Sequence, residues 1–506
     1  MSKRPTGKRL RKANKKLSLK RQYIQLGDLQ AENDANLPMY FVDSRGYYDQ
    51  AVSSNSSIII FRGSKGIGKS ALLKMLEVGH ASDHRRVIKI GPDDLAFTAL
   101  ANSSKEDSII ESNQWLYKCL WNYVLAVTLL NKEYTIESTL TRVIKDLIRT
   151  TDQKQALALL KKSMPSPGNS ELGLTSIMLN LIDEVEIQIK SPVASLKVTG
   201  SKNTDNSTAT KASVLNLVNQ VSKSLPRLIE NEYLVLIDDL DLHWTNSPSQ
   251  NTLIAAMFSA IAKFGHGDSK VKFVIAIRDD IYSQLPIENK DKSRDWIIDL
   301  GWDKSSLREV VDERMKHIHK VRSGDLWDGL MPQGAFDKLA PFCSNRPRML
   351  IRLIQLCFLV ACDNSHDIVT NEDLEVALKK FSLEKLEDLE DEVGPRYPGI
   401  KWIVEHFAGK NAELSLSELE KICEELQLNL EDEKVTKPNS VFWIDSYYED
   451  PMKFAWILID SGFLLVKTNR KARPDSIESE HAFKTLKSPW FAIRPLYRAG
   501  LRIVGT

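Results

Sequence analysis

Four runs of mainly apolar residues in the first 300 positions have the length of single β-strands. Polar or glycine-rich residues bound each run, and β-branched side chains are frequent within them. The runs are Ile58–Phe61, Arg86–Ile90, Tyr233–Ile237 and Val271–Ile277. Helical periods of apolar residues lie between them, and this alternation predicts an α/β fold in which helices flank a parallel sheet.

The chain changes character between the second and third predicted strands. Residues 109–186 carry a mostly helical period, whereas residues 191–213 are rich in Ser, Thr and Asn and predict a flexible loop or a short exposed hairpin. We interpret residues from about 100 to 230 as a helical insertion in a core that spans residues 23–322. A short helix around Leu37–Phe41 is expected to pack against this core.

Helical periods continue after the core and then give way to a mixed pattern. Residues 323–392 predict an α-helical lid that ends in an acidic linker at residues 384–392. In residues 393–506, three helices precede two strands at residues 463–467 and 490–495, which predicts a winged-helix-like domain. Because winged helices bind protein as well as DNA, this pattern leaves the ligand of the domain open.

A glycine-rich segment with the pattern GxxxxGK[ST] joins the first predicted strand to a helix. It consists of Gly63, Ser64, Lys65, Gly66, Ile67, Gly68, Lys69 and Ser70, followed by Ala71. Glycines leave backbone N–H groups free to bind phosphate oxygens, and a helix N-terminus favours an anion. Lys69 is expected to bridge the β- and γ-phosphates and Ser70 to ligate Mg²⁺, so the segment predicts a site for ATP and Mg²⁺. The strand before it and the amphipathic helix after it disfavour a chance match.

The third predicted strand ends in carboxylates, which is the Walker B pattern. Asp238 is expected to hold Mg²⁺ through water, and Asp239 is the candidate that polarises the attacking water. Asp241 is expected to cap the next segment. The alternative is an acidic turn after an edge strand, but a phosphate loop of this kind requires an acid on a neighbouring strand.

Arginines supply the candidate sensors of nucleotide state. Arg278 follows the fourth strand and is a candidate contact of the γ-phosphate, with a surface ion pair to Asp279 or Asp280 as the alternative. Arg348 opens a lid helix and is a candidate nucleotide contact, unless it only pairs with acids in the lid. Three further arginines are candidate fingers for a neighbouring subunit or merely part of a solvated helix face. They are Arg294, Arg308 and Arg314.

Composition restricts the possible partners and location. The net charge is only +2, yet residues 1–21 contain ten Lys or Arg and no acid, so the rest of the chain is net negative. The basic tail, residues 1–22, is expected to be disordered and to attract nucleic acid, or to be solvated without a ligand. No apolar run is long enough to span a membrane, and the five cysteines form no metal or disulfide pattern. A cytoplasmic location is expected.

Together these residues resemble the STAND and KAP-like branch of P-loop ATPases, which are relatives of the AAA+ and origin-recognition proteins. The resemblance covers most of residues 23–385. It rests on the phosphate loop, the Asp238-Asp239 pair in place of Asp-Glu, the strand that ends in Arg278, and the lid motif Asn345-Arg346-Pro347-Arg348. The segment at residues 26–34 is similar to the entry segment of bacterial members linked to anti-phage defence.

The resemblance implies an ATP-hydrolysing switch or assembly ATPase that forms homo-oligomers. Because no nuclease, protease, Toll-like or repeat sensor domain is visible in the chain, an effector is expected to act in trans in a bacterial defence system. A second interpretation is an ATP-gated protein that binds DNA or RNA through residues 1–21 and the wing. A scaffold that binds nucleotide without turnover is disfavoured by the carboxylates of Asp238 and Asp239.

Overall fold

The computed structural model describes two compact units. The described residues are 18–80, 86–91, 114–134, 150–151, 154, 225, 228–242, 244–264, 270–287, 290–291, 293–431, 450–475 and 480–505. The sheet unit runs from Asp43 to Trp302, and the helical unit combines the chain up to Val42 with the chain from Asp303 onward. The predictions for the basic tail, for residues 191–213 and for most of the insertion fall outside the described residues.

The described helices belong to both units, and short 3₁₀ or π turns connect several of them. They are α1 (Leu37–Tyr40), α2 (Tyr47–Ser53), α3 (Lys69–His80), α4 (Gln114–Tyr134), α5 (Pro248–Phe264), α6 (Asp279–Gln284), α7 (Lys304–His319), α8 (Ala335–Leu339), α9 (Pro347–Asp363), α10 (Asn371–Val393), α11 (Ile400–Glu405), α12 (Leu416–Glu431), α13 (Pro451–Asp460), α14 (Glu480–Lys484) and α15 (Pro495–Arg498). Helices α2 to α6 lie in the sheet unit and the others in the helical unit.

The described strands of the sheet unit form one parallel sheet in the order β2-β3-β4-β1-β5. They are β1 (Ile58–Arg62), β2 (Arg86–Ile90), β3 (Tyr233–Ile237), β4 (Val271–Ile277) and β5 (Ile297–Asp299). The four strands predicted from apolar runs are confirmed to within a residue at each end. Strand β5 was not predicted, because three residues, two partly buried and one exposed, are too few to show a period.

Helices complete the α/β architecture of this unit. All five residues of β3 and the first four of β1 are buried, as expected for strands covered on both faces. The long helices α4 and α5 pack on each other, and the indole N–H of Trp121 donates to the carbonyl of Leu253 at 2.9 Å. In consequence β1, β3 and β4 are fixed side by side, and their carboxyl ends lie at one edge of the sheet.

The helical unit contains the predicted lid helices, with one correction. Helix α10 begins at a capping box formed by Thr370 and continues without interruption to Val393. The acidic linker predicted at residues 384–392 is therefore wrong. Leu386 and Leu389 recur at helical spacing and are buried, so this stretch is the amphipathic end of a helix with an acidic outer face.

The C-terminal part of the helical unit has the predicted helices α11, α12 and α13, followed by the strands β7 (Leu464–Lys467) and β8 (Trp490–Ile493). The sheet is larger than predicted, because β6 (Glu413–Ser415), between α11 and α12, pairs antiparallel with β8. These strands and helices enclose a core of buried aromatic side chains. It includes Phe407, Phe454, Phe463 and Phe491.

The segment before the sheet unit packs inside the helical unit. Helix α1 contacts α7, where the Arg314 guanidinium lies 4.6 Å from the centre of the Tyr40 ring and donates to the Leu26 carbonyl at 2.6 Å. Helix α7 lies within residues 23–322, the range predicted for the core, so this contact does not contradict the expected packing of α1. The partner of α1 is a buried arginine on a distant helix, which a local apolar pattern does not reveal. Among the described helices, none is both long enough and apolar enough to cross a bilayer.

Candidate nucleotide site in the sheet unit

The glycine-rich segment forms a tight loop between β1 and α3. The backbone N–H of Gly63 donates to the Ile277 carbonyl at the end of β4 (3.2 Å), so the loop starts from the middle of the sheet. Gly66 and Gly68 have φ angles of 79° and 111°, which favour glycine over other residues. A Cβ on Gly63 would lie 3.0 Å from Cγ2 of Ile67. The glycines are therefore required by this backbone path.

Lys69, the first residue of α3, is held against the loop. Its ammonium Nζ donates to the carbonyls of Gly63 (2.8 Å) and Ser64 (3.0 Å). Burial lowers the pKa of Lys69, and the negative charges of Asp241, Asp238 and Asp279 oppose that shift. The positive charge of Lys69 thus lies within the loop and faces three carboxylates.

The two acids after β3 have different surroundings. Asp238 is partly buried, and its Oδ1 accepts the backbone N–H of Asp239 at 2.9 Å. Asp239 is exposed and has a φ of 58°, a left-handed conformation that aspartate adopts more readily than most residues. The sharp turn after the strand therefore separates the two carboxylates, one toward the loop and one toward solvent.

Arg278 lies in an ion-pair network at the end of β4. Its guanidinium makes a two-pronged contact with Asp280 (3.0 and 2.6 Å), and its Nη1 lies 3.3 Å from Oδ2 of Asp241. Only 12% of the Arg278 side chain is exposed, so the predicted surface pair is in fact a partly buried one. Burial alone would lower the pKa of Arg278, but the charges of Asp280 and Asp241 raise it above its usual value. A contact with the γ-phosphate stays a prediction for Arg278.

Two acids that the sequence analysis gave minor roles belong to this site. Asp241, expected only as a cap, binds Arg278 and acts electrostatically on Lys69. Burial raises the pKa of Asp279, and the positive charges of Lys69 and Arg62 oppose that shift. Both acids follow the carboxyl ends of adjacent parallel strands, so the strand order was the signal that would have grouped them.

Arg62 at the end of β1 also escaped the sequence analysis. Its guanidinium pairs with Asp299 of β5 through two hydrogen bonds of 2.6 and 2.8 Å. It also lies 5.4 Å from the centre of the Tyr282 ring. The pair connects the loop strand to the edge strand, whose existence was not predicted.

Trp302 closes one side of the loop, and it was likewise missed. Its indole Nε1 donates to the carbonyl of Ile67 at 2.7 Å, and its ring would touch a Cβ on Gly68 at 3.8 Å. Trp302 is more than 230 positions away from the loop in sequence, so no local motif connects the two. This contact fixes the loop backbone beside the residues that are predicted to bind phosphate.

The hydrogen bond from Trp302 leads to a first prediction. Trp302→Phe should weaken ATP binding about fivefold, since a net hydrogen bond contributes about 1 kcal/mol to holding the loop. The measurement is titration with a fluorescent ATP analogue. Trp296→Phe is the matched control, because Trp296 packs on the apolar core of the same unit. Equal affinity in the two variants would show that the loop does not depend on this contact.

The remaining candidate arginines lie elsewhere. Arg294 is exposed in the sheet unit. In the helical unit, the Arg348 Nε donates to the Leu29 carbonyl at 3.2 Å, and Arg314 is buried against Asp34. Arg308 stacks on Trp327, with 5.1 Å from its guanidinium carbon to the ring centre. A nucleotide contact by Arg348 stays a prediction, whereas Arg314 is too enclosed within its own unit to reach a neighbouring subunit.

The donor set of the sheet unit fits a nucleotide with Mg²⁺. The loop supplies backbone N–H groups at glycines and one partly buried ammonium, while Ser70 and Asp238 supply a hydroxyl and a carboxylate. Across the described ranges, no group of three or more His, Cys, Asp or Glu side chains could hold a metal ion by itself. A magnesium site built from two protein ligands, water and phosphate oxygens matches this donor set.

The fold and this site define the class of the protein. A phosphate loop follows β1, acids follow β3, and β4 is inserted between these two strands. This is the core of a P-loop NTPase fold. Residues 305–390, which include α7 to α9 and most of α10, match the model of the FunZ-associated C-terminal helical domain.

Two curated proteins are similar in sequence. The chain is 24% identical over 406 residues to an 80.3 kDa protein of Escherichia coli (strain K12) named after the transposon gamma-delta, covering 77% of this chain and 54% of that protein. It therefore spans about half the length of this relative. Over 150 residues it is 31% identical to Allergen Alt a 2 of Alternaria alternata, covering 28% of this chain and 79% of that protein. The chain belongs to the family of this fungal protein, whose name states no activity.

Solved structures of P-loop proteins show a distant likeness. The Aeropyrum pernix ORC1 protein in complex with DNA is 13% identical, with a TM-score of 0.36 and coverage of 97% of this chain and 98% of that chain. The Walker-type ATPase of Pyrococcus abyssi is 12% identical, with a TM-score of 0.35 and coverage of 90% and 93%. Because these TM-scores are low, the fold is assigned from the strand order and the phosphate loop.

Proposed function

We propose that the protein binds ATP with Mg²⁺ at the phosphate loop and hydrolyses it slowly, as a molecular switch that controls assembly. The observation that supports this most strongly is the meeting of three elements at one edge of the sheet. These are the glycine loop with Lys69, the acids after β3, and the arginine network after β4. Each of these elements either binds phosphate or responds to its charge.

Different residues bind the phosphates, hold the magnesium ion and activate the water molecule. Backbone N–H groups from Gly66 to Ala71 bind phosphate oxygens, and Lys69 leaves its loop carbonyls to neutralise the β- and γ-phosphates. Ser70 and Asp238 would hold the magnesium ion, which neutralises phosphate charge when it is bound. Asp239, exposed on its turn, orients a water molecule and accepts its proton as the water oxygen attacks the γ-phosphorus. The bond from the γ-phosphorus to the bridging oxygen breaks in the same step, and ADP leaves with the electron pair.

The wider role that we propose is an assembly switch in bacterial anti-phage defence. It rests on the resemblance described above, on the similarity to a bacterial relative, and on a site in which arginines and acids surround the loop. The protein would form homo-oligomers in one nucleotide state and act on an effector protein in trans.

The test uses the full chain. We expect Mg²⁺-dependent release of phosphate from ATP at a slow rate, and a mass distribution by mass photometry that differs between ATP and ADP. Chelation of Mg²⁺ should remove both effects. A chain that neither hydrolyses ATP nor changes its mass distribution with nucleotide would refute the switch.

A second candidate function is nucleotide-gated binding of DNA or RNA. The loop between β7 and β8 carries exposed Lys471 and Arg473, and Arg470 stacks on Trp490 at 5.2 Å, an arrangement that suits contacts to a nucleic-acid backbone. For this function, the logarithm of the affinity for nucleic acid should fall linearly with the logarithm of the salt concentration. Removal of residues 1–21 should lower the affinity. Binding that is insensitive to salt would exclude this function.

A further inference from the structure

The helical unit contains a cavity of its own. This cavity of about 60 Å³ is enclosed where the turn before α9, the second half of α10 and the start of α15 meet. Charged and aromatic side chains make up half of its lining residues. They include Arg346, Lys385, Asp388, Glu392, Arg494 and Tyr497.

The charges around this cavity do not cancel. Lys385 forms an ion pair with Asp388, and Nη1 of Arg346 lies 3.6 Å from Oε2 of Glu392. Each acid that lines the cavity therefore already has a basic neighbour. The Arg494 side chain makes no hydrogen bond or ion pair anywhere in the described part of the chain, and its Nε is buried without a partner.

The backbone fixes Arg494 in this position. It lies between β8 and α15, and its N–H donates to the Phe463 carbonyl at 3.0 Å. Burial lowers the pKa of Arg494; the neighbouring Tyr497 opposes this shift, and the positive charge of Arg346 adds to it. Arg494 as a whole is half-buried, but its Nε is enclosed, and charged groups enclosed in a protein are normally paired. An anion in the cavity would supply the counter-charge that Arg494 lacks.

The size of the cavity limits what this anion can be. A bound water needs about 10–15 Å³ of such a volume, so 60 Å³ holds about four waters, close to the five heavy atoms of phosphate. Guanidinium groups bind tetrahedral oxyanions through two parallel N–H···O bonds. We propose that this cavity binds a phosphate-type oxyanion between Arg494 and Arg346, joining the C-terminal domain to the lid helices α9 and α10.

The test must exclude the phosphate loop, which also binds oxyanions. Full-length protein carrying Lys69→Ala should therefore be compared with the double variant Lys69→Ala/Arg494→Gln. We expect inorganic phosphate, added at constant ionic strength, to raise the melting temperature of the first by about 2–4 °C and to leave the second unchanged. Lys69→Ala/Arg502→Gln is the matched control, because Arg502 is an exposed arginine of the same domain, and it should respond like Lys69→Ala alone.

Stability without phosphate separates ligand binding from a purely structural role. If Arg494 serves the anion, Arg494→Gln should be at least as stable as its parent in phosphate-free buffer, because a buried unpaired charge has been removed. A loss of stability in both buffers would overturn the proposal, as would an equal phosphate response in all three proteins. Phosphoserine tests the source of the ligand. If phosphoserine raises the melting temperature as much as phosphate does, the ligand is a phosphate group on a larger molecule. If only phosphate raises it, the ligand is the free ion.

Discussion

Lys69→Ala is expected to abolish measurable ATP hydrolysis and to weaken ATP binding by roughly 100-fold or more. The ammonium of Lys69 is held against the phosphate loop, where it donates to the carbonyls of Gly63 and Ser64. Removing it takes away the charge that neutralises the β- and γ-phosphates. It also leaves Asp238, Asp241 and Asp279 to repel the nucleotide.

Lys65→Ala provides a closely matched control for this experiment. Lys65 lies in the same loop and its loss changes the net charge equally, but its side chain is exposed. Lys65 is predicted to act through its backbone N–H, which alanine retains. The ATP affinity and the rate of ATP turnover should therefore stay within about threefold of the parent. Calorimetric titration with ATP and a phosphate-release assay measure both. If Lys65→Ala and Lys69→Ala lose affinity to the same degree, general charge rather than loop chemistry binds the nucleotide.

The loop and the acids could be predicted from the sequence because their signals are local. A strand, a glycine pattern and a helix start follow one another within residues 58–80, and five apolar residues precede Asp238 directly. Their positions at one edge of the sheet follow from parallel strands alone. The order of those strands does not follow, and it is this order that brings Arg278 and Asp241 together.

What the sequence could not show was contact between distant segments. Trp302 reaches the loop from the far end of the sheet unit, and Arg62 depends on β5, which has only three residues. The same reason accounts for Arg314, which on its own helix resembles a solvated charge but is buried by the Tyr40 segment. In each case a polar side chain gains its role from a partner that no periodicity connects to it.

The ion-pair network changes the interpretation of Arg278. A residue that senses the nucleotide must move between nucleotide states, yet this guanidinium already contacts Asp280 and Asp241. Removing one partner of a buried ion pair costs about 3–5 kcal/mol of stability. A γ-phosphate that attracts Arg278 would release Asp241 beside Lys69. The charge of the nucleotide would thereby be communicated from β4 to the acids that follow β3, which is the coupling that a switch requires.

Asp239→Asn is expected to slow hydrolysis by roughly 100- to 1,000-fold while ATP affinity changes less than about threefold. The substitution removes the proton acceptor but preserves the fold of the turn. Asparagine adopts the left-handed conformation seen at this position (φ 58°) as readily as aspartate does. Alanine would confuse lost chemistry with backbone strain, so asparagine is the informative replacement.

An acid at the other end of β3 provides the control for Asp239→Asn. Glu232 is exposed and precedes the same strand, at the opposite edge of the sheet. Glu232→Gln therefore makes the same change from acid to amide away from the loop. This variant should hydrolyse ATP like the parent. Single-turnover rates at saturating ATP separate the chemical step from binding. If Asp239→Asn keeps the parental rate, the acceptor of the water proton is another acid at this edge. Asp279 is then the first to replace, because burial already raises its pKa toward the range where a carboxylate accepts a proton efficiently.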